Sequence, residues 1–508
     1  MPSQPPFEIH PGNFSLNVSG VAGFFGGDEA ISAIQTIHHY KARRFLGWYN
    51  SPGSWNVGKK FGKLAKSRFW DGLFPGPDEE PAKFFELDGK QGPKYVASRS
   101  GSILEHTGHL AYLIMQKSKE ELGKQVKGRI TKRNKVTIIK TQLPPKEEPV
   151  REIPPRRGHH TLVAILPIAV SFTACALCGW TNDWFCFSMI LLGIVSSGVS
   201  SLVIGSARLK LQGVNSAPTA PPGDGMLMDG DDIVLLLGKE EDVATITRGK
   251  FILEYDPWSA TSPKPSEEPD EELSEKRSEE PDKEPSGKPS EEPGEEPSEK
   301  RSEEPDKEPS EKLSEKLGEE PIRDEYAAIG LCSLLLVIQL LGQLLLIPQG
   351  TLFGQIMFLS SFAASWTYNL YLSSIDNEYI QERLILKELH LEQKHMQTYV
   401  FGTRTTAAVF ACLMLQPFDK DLGFEPESII RNFIPNDTQV WVTWRKKVLE
   451  VMRTRDGSQD TCHGLLQMSS EDKMKFEPAD KQLLRWLLKD ARIAYNLAMI
   501  EQGWLKED

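Results

Sequence analysis

Cysteine is scarce in this sequence: six occur in 508 residues, and Cys175, Cys178, Cys186 and Cys332 fall in apolar stretches. Only Cys412 and Cys462 remain for the polar parts, which excludes a disulfide framework and suits a reducing compartment. The opening MPSQPPFEIHPG lacks a basic n-region and an apolar h-region, so membrane insertion is expected to rest on internal segments. Catalytic motifs are missing as well. Gly62–Lys63 and Gly249–Lys250 lack the Ser or Thr that completes a phosphate loop, and neither HExxH nor GxSxG occurs. Asp229-Gly230-Asp231 begins like a calcium loop with Glu240 at its end, but Ile233 and Val234 stand where a ligand and the obligatory glycine belong; a solvated turn is the better reading. His106 and His109 have helical ligand spacing without partner carboxylates or cysteines, and Cys175, Cys178 and Cys186 read as packing residues. No cofactor, metal or catalytic residue is implied.

What the chain has is apolar runs and uneven charge. Its net charge of −12 and mean hydropathy of −0.37 resemble those of a soluble protein. Residues 1–160, however, hold 25 Lys and Arg against 15 Asp and Glu, while residues 256–325 hold 11 against 26. Four uncharged stretches interrupt this pattern: Thr161 to Gly179, Phe185 to Gly205, Ala327 to Ile347 and Leu352 to Ser373. About 20 helical residues cross a hydrocarbon core of roughly 30 Å. The links Trp180–Trp184 and Pro348–Thr351 are short enough to force antiparallel hairpins. Neither tip carries Lys or Arg, whereas Arg156, Arg157, Arg208, Lys210, Arg323 and Arg383 flank the opposite ends. The positive-inside rule therefore predicts cytoplasmic N- and C-terminal regions.

The expected fold class is a mainly α, polytopic membrane protein with four transmembrane helices as two hairpins, plus cytosolic helical and small β elements. Its expected parts are a basic N-terminal region (1–160), a first hairpin (161–205), a segment of short strands (206–255), an acidic linker (256–325), a second hairpin (326–373) and a helical C-terminal domain (374–508). In the linker, residues 266–289 recur as 290–313 with 20 of 24 positions identical, and frequent proline without an apolar face predicts a disordered, solvated chain. KVTIIKTQ (135–142), DIVLLLG, VATITRG and KFILEYD are strand candidates. Residues 374–400 are expected to extend the last apolar helix as a stalk, and TTAAVFACLMLQP (405–417) reads as a buried core helix.

Three sets of residues carry functional expectations. Gly193, Ser197, Ser201 and Gly205 form a four-residue stripe of small side chains where another helix can approach closely. Gln339 and Gln343 share a helix face, suited to interhelical hydrogen bonds or, alternatively, to a transport path. Lys59, Lys60, Lys63, Lys66 and Arg68, interleaved with Phe61, Phe69 and Trp70, suit anionic lipid head groups, with a solvated loop as the plainer alternative. Nucleic acid is disfavoured as a partner because no nucleic-acid fold accompanies the patch.

The segments FGTRTTAAVFACLML (401–415) and FIPNDTQVWVTWRKKVLEVM (433–452) resemble uncharacterised multi-pass membrane proteins of basidiomycete fungi. The resemblance brings no activity. The leading expectation is thus a membrane-anchored scaffold or interaction protein, with the lipid bilayer and proteins bound through the C-terminal helices as partners. An oligomeric channel or transporter lined by Gln339 and Gln343, and a membrane-bound enzyme without a recognisable motif, are the alternatives.

Overall fold

The computed structural model describes residues 25–65, 67–77, 79–141, 150–156, 160–217, 219–255, 324–391, 396–417, 424–454 and 459–503. The acidic repeat and Lys66 lie outside the described residues. The soluble framework is a seven-stranded mixed sheet, ordered β2-β1-β7-β8-β4-β10-β3. Its strands are β1 (Lys94–Ala97), β2 (Ile103–Leu104), β3 (Lys124–Gln125), β4 (Asn134–Thr141), β7 (Gly225–Asp229), β8 (Asp232–Gly238) and β10 (Met396–Phe401). A separate antiparallel sheet joins β5 (Val150–Glu152), β6 (Arg208–Gln212) and β9 (Lys250–Glu254). The mainly α expectation with small β elements is therefore corrected: non-local pairing assembles β-rich segments that look minor one at a time.

Period-two alternation explains how the large sheet is buried on both faces. Val136 and Ile138 of β4, Ile233 and Leu235 of β8, and Tyr399 and Phe401 of β10 face one core, closed by the helices Arg404–Leu415, Gln439–Arg453 and Pro478–Glu501. Ile139, Val234 and Leu236 face the other, with the helix His109–Glu120. The Arg404 helix is buried along nearly its whole length, as its apolar sequence implies. Asp229-Gly230-Asp231 lies at the β7–β8 hairpin turn, with Gly230 at φ 63.

Two local expectations change. VATITRG belongs to a helix, Glu240–Arg248, started by three acidic residues in its first turn, where they complement the helix dipole. Residues 374–400 are no stalk: Asp376 accepts from the Glu378 and Tyr379 amides to start a new helix, Asn377–Glu388, and His390 at φ 54 stops it before β10. The aromatic and β-branched residues of MQTYVF then suit the sheet.

The four-span architecture is corrected too. Only Trp184–Ile204 and Tyr326–Gln349 are, among the described residues, long and apolar enough to cross a membrane. Ile165–Trp180 has 16 residues, about 24 Å at 1.5 Å per residue, and Pro167 removes the amide that would join it to the preceding turn, His160–Val163. Leu352–Ser373 has 22 residues but is diluted by Gln355, Ser360, Ser361, Ser365, Thr367 and Asn369. These shorter or more polar helices nevertheless accompany the two long ones, and at the tips Asp183 joins the pairs. Its carboxylate accepts from the Thr351 amide and hydroxyl, both at 2.7 Å, and from the Cys186 amide at 3.1 Å.

Trp444 has no exposed surface, and its indole N–H donates to the Leu487 carbonyl across the second core at 3.1 Å. Trp444→Ala is expected to cost about 3–5 kcal/mol, read as an earlier denaturation midpoint of the purified chain.

Candidate functional site

The segment Gly47–Ser51, which comes before the sheets in the chain, packs among the apolar helices. Ala42 sits at φ 70, a left-handed backbone that costs an L-residue roughly 1–2 kcal/mol. It caps the 3-10 turn Arg43–Phe45, in which Arg43 is buried and Arg44 exposed. The chain then runs inward along the Trp184 helix. Its path requires the small residues there: a Cβ at Gly198 would lie 2.3 Å from the Trp48 ring, and one at Gly193 would lie 2.0 Å from Asn50 Oδ1. Reciprocally, a Cβ on Gly47 would meet Ser201 Oγ at 2.1 Å, and one on Gly205 would meet the Arg44 and Ile37 side chains. The stripe Gly193, Ser197, Ser201, Gly205 thus admits a close neighbour, but that neighbour is an extended segment rather than a helix.

Gly193 lies twelve residues from Gly205, about 18 Å along the axis, so Asn50 reaches the middle of the helical layer. There it touches all of the apolar helices. The Asn50 amide N–H donates to Ser171 Oγ at 3.0 Å, its side-chain Nδ2 donates to Ser361 Oγ at 2.9 Å, and its Oδ1 accepts from Gln343 Nε2 at 3.5 Å. Beside it, Tyr49 OH donates to Asn369 Oδ1 at 2.9 Å, Asn369 Nδ2 donates to Ser51 Oγ at 3.2 Å, and Ser196 Oγ donates to Gln339 Oε1. Arg43 Nη2 donates to Tyr49 OH at 3.3 Å, and its guanidinium lies over the Tyr368 ring.

Gln339 and Gln343 are fully buried in this centre and bonded to Ser196 and Asn50. The basic patch behaves differently. Lys59 and Arg68 are exposed, Lys60 is half-buried with its ammonium 5.6 Å from the Phe84 ring centroid, and the Lys63 stem lies over Gly76. The short helix Arg68–Leu73 leaves Phe69 67% exposed, while Trp70 is buried against Gly330. Arg68 and Phe69 therefore share an exposed edge that Lys60 does not join. His109 is buried between the Lys90 amide and Gln381, apart from exposed His106.

Asn50, Ser171, Ser361 and Asn369 escape sequence reasoning because their partners are far apart in the chain. A run of glycine, proline and aromatics at Gly47–Gly53, without helical periodicity, is the one local signal. No family model, curated protein or solved structure matches this chain.

Asn50→Ala would strand buried partners at about 1–3 kcal/mol each and lower the thermal midpoint. The Asn50→Ala/Gln343→Leu pair is expected to lose less than the two single changes added together, read in a double-mutant cycle. A pH effect follows from His38 and His39. Burial lowers their pKa values from 6.5 to about 3 and about 4. The unfolded chain then binds protons below pH 6.5 that the folded chain refuses. Stability should be flat above that pH and fall as pH drops from 6.5 towards 4, with a shallower slope in His38→Gln melting curves.

Proposed function

We propose that this chain is a membrane-anchored interaction protein. Its two long apolar helices, Trp184–Ile204 and Tyr326–Gln349, sit in a bilayer with the shorter or more polar ones packed beside them, and its two sheets and C-terminal helices form a platform. The observation that carries this reading is the inverted polarity of the helical layer. Leu166, Phe172, Leu191, Leu341 and Leu345 point outwards, Leu345 being 71% exposed, while Ser171, Gln339, Gln343, Ser361 and Asn369 fill the interior. Water would penalise such an arrangement, whereas hydrocarbon favours it, because interior serines and amides hold helices together there.

Strand pairing supports a platform on a single face. β4 precedes the first helical pair, β8 lies between the pairs and β10 follows the second, yet β4 is hydrogen-bonded to both. The Lys and Arg that flank the platform ends of the helices favour the cytoplasmic face. Transport is the weaker reading, since Gly47–Ser51 occupies the centre that Gln339 and Gln343 would line. Proteins docking on the C-terminal helices remain part of the proposal.

Alkaline carbonate washing of membranes tests the anchor, with the chain expected in the pellet. Ser100→Cys, at an exposed position between β1 and β2, tests the face: an impermeant maleimide should label it only after cells are opened. Release into the carbonate supernatant, or labelling in intact cells, would overturn the reading.

A further inference from the structure

A cavity of about 230 Å³ opens where the Trp184 helix ends and β6 begins. Its walls include Ile37, Lys41, Arg44, Phe45, Glu152 and Arg208. Three cations thus surround one carboxylate, and Glu152 is already engaged by Arg208 at 3.6 Å. Lys41 and Arg44 make no ion pair among the described residues. His38, on the same wall, is neutral through burial and adds no charge.

The backbone supports this cluster at a cost. The left-handed Ala42 starts the 3-10 turn Arg43–Phe45, whose tight winding puts Arg43 in the interior and Arg44 in the cavity wall. Strain of this kind persists where the surroundings impose it, often at ligand sites. The last-turn carbonyls of the Trp184 helix do not consume the cations. Ser201 O is capped by the Gly205 amide, and Val203 O by the amide and hydroxyl of Ser206.

Position indicates the source of a matching anion. The Trp184 helix has 21 residues, about 31 Å, close to the hydrocarbon thickness of a bilayer. Trp180 and Trp184 are exposed at its far end, as aromatics are at a membrane surface. The cavity, at the other end, falls at head-group level. Its volume lies below the roughly 300–1,000 Å³ of pockets that enclose whole small molecules, which suits a head group whose acyl chains lie outside along the apolar helices. Phe45, 52% exposed beside Arg44, supplies an apolar lip.

We infer that the cavity bounded by Lys41, Arg44 and Arg208 binds the phosphate of an anionic phospholipid head group at the platform face of the membrane. This rests on the membrane reading above. It differs from the basic patch at Lys59–Arg68 in being a concave cavity at the end of a membrane-length helix.

The test uses the full chain in neutral detergent, with phosphatidic acid, phosphatidylcholine or inorganic phosphate added and retention counted by native mass spectrometry. One phosphatidic acid should be retained in preference to phosphatidylcholine. Lys41→Gln/Arg44→Gln, which alters two exposed side chains and should melt like the parent, is expected to lower retention about tenfold or more. Lys59→Gln/Arg68→Gln should leave it unchanged. Equal retention by the Lys41/Arg44 variant, equal retention of phosphatidylcholine, or displacement of the lipid by inorganic phosphate would each overturn the assignment. If carbonate releases the chain from membranes, the membrane reading falls as well; if the chain stays in the pellet, these outcomes remove the head-group site alone.

Discussion

The pairing of β4 governs the rest of the molecule. One edge of this strand is bonded in parallel to β8, which follows the first pair of apolar helices, and the other edge is bonded antiparallel to β10, which follows the second. Backbone hydrogen bonds in a sheet buried on both faces cannot be left unmade cheaply. Each pair of apolar helices must therefore leave the sheet and come back to it. The short tips at Thr181–Asp183 and Pro348–Thr351 make that return possible, and Asp183 fastens one tip to the other.

Between sheet and tips, the helical layer solves a different problem. Contacts between greasy helices have little to distinguish one arrangement from another when the surroundings are equally apolar. Directional bonds supply the distinction. Asn50 meets Ser171 through its backbone amide and Ser361 and Gln343 through its side chain, so one residue fixes the register of three helices, while Gly193 fixes its distance from the fourth. The cost is a buried amide that depends on every partner being present.

Only part of the framework was legible in the sequence, and the failures have physical causes. β4 and β8 were visible because alternation and a short apolar run survive as local signals. β10 was not, because Met396 and Val400 also fit a helical spacing and only its neighbour β4 decides between the two. The apolar runs were visible as such, but spacing did not reveal that Pro167 shortens one helix or that polar residues on the Leu352 helix turn inwards. The stripe from Gly193 to Gly205 announced a thin surface. What lies on it is an extended segment more than a hundred residues earlier in the chain, which no local pattern encodes.

The distance between Asn50 and its partners also has a meaning in time. Ser361 is made 311 residues after Asn50. At synthesis rates of about 5–20 residues per second, the wait is roughly 15–60 s. Throughout that interval the Gly47–Ser51 segment has Ser171 and the groove of the Trp184 helix to lie in but lacks Ser361 and Asn369. Completion of this centre is therefore a late event: the Leu352–Ser373 helix lets one of the earliest segments find its place.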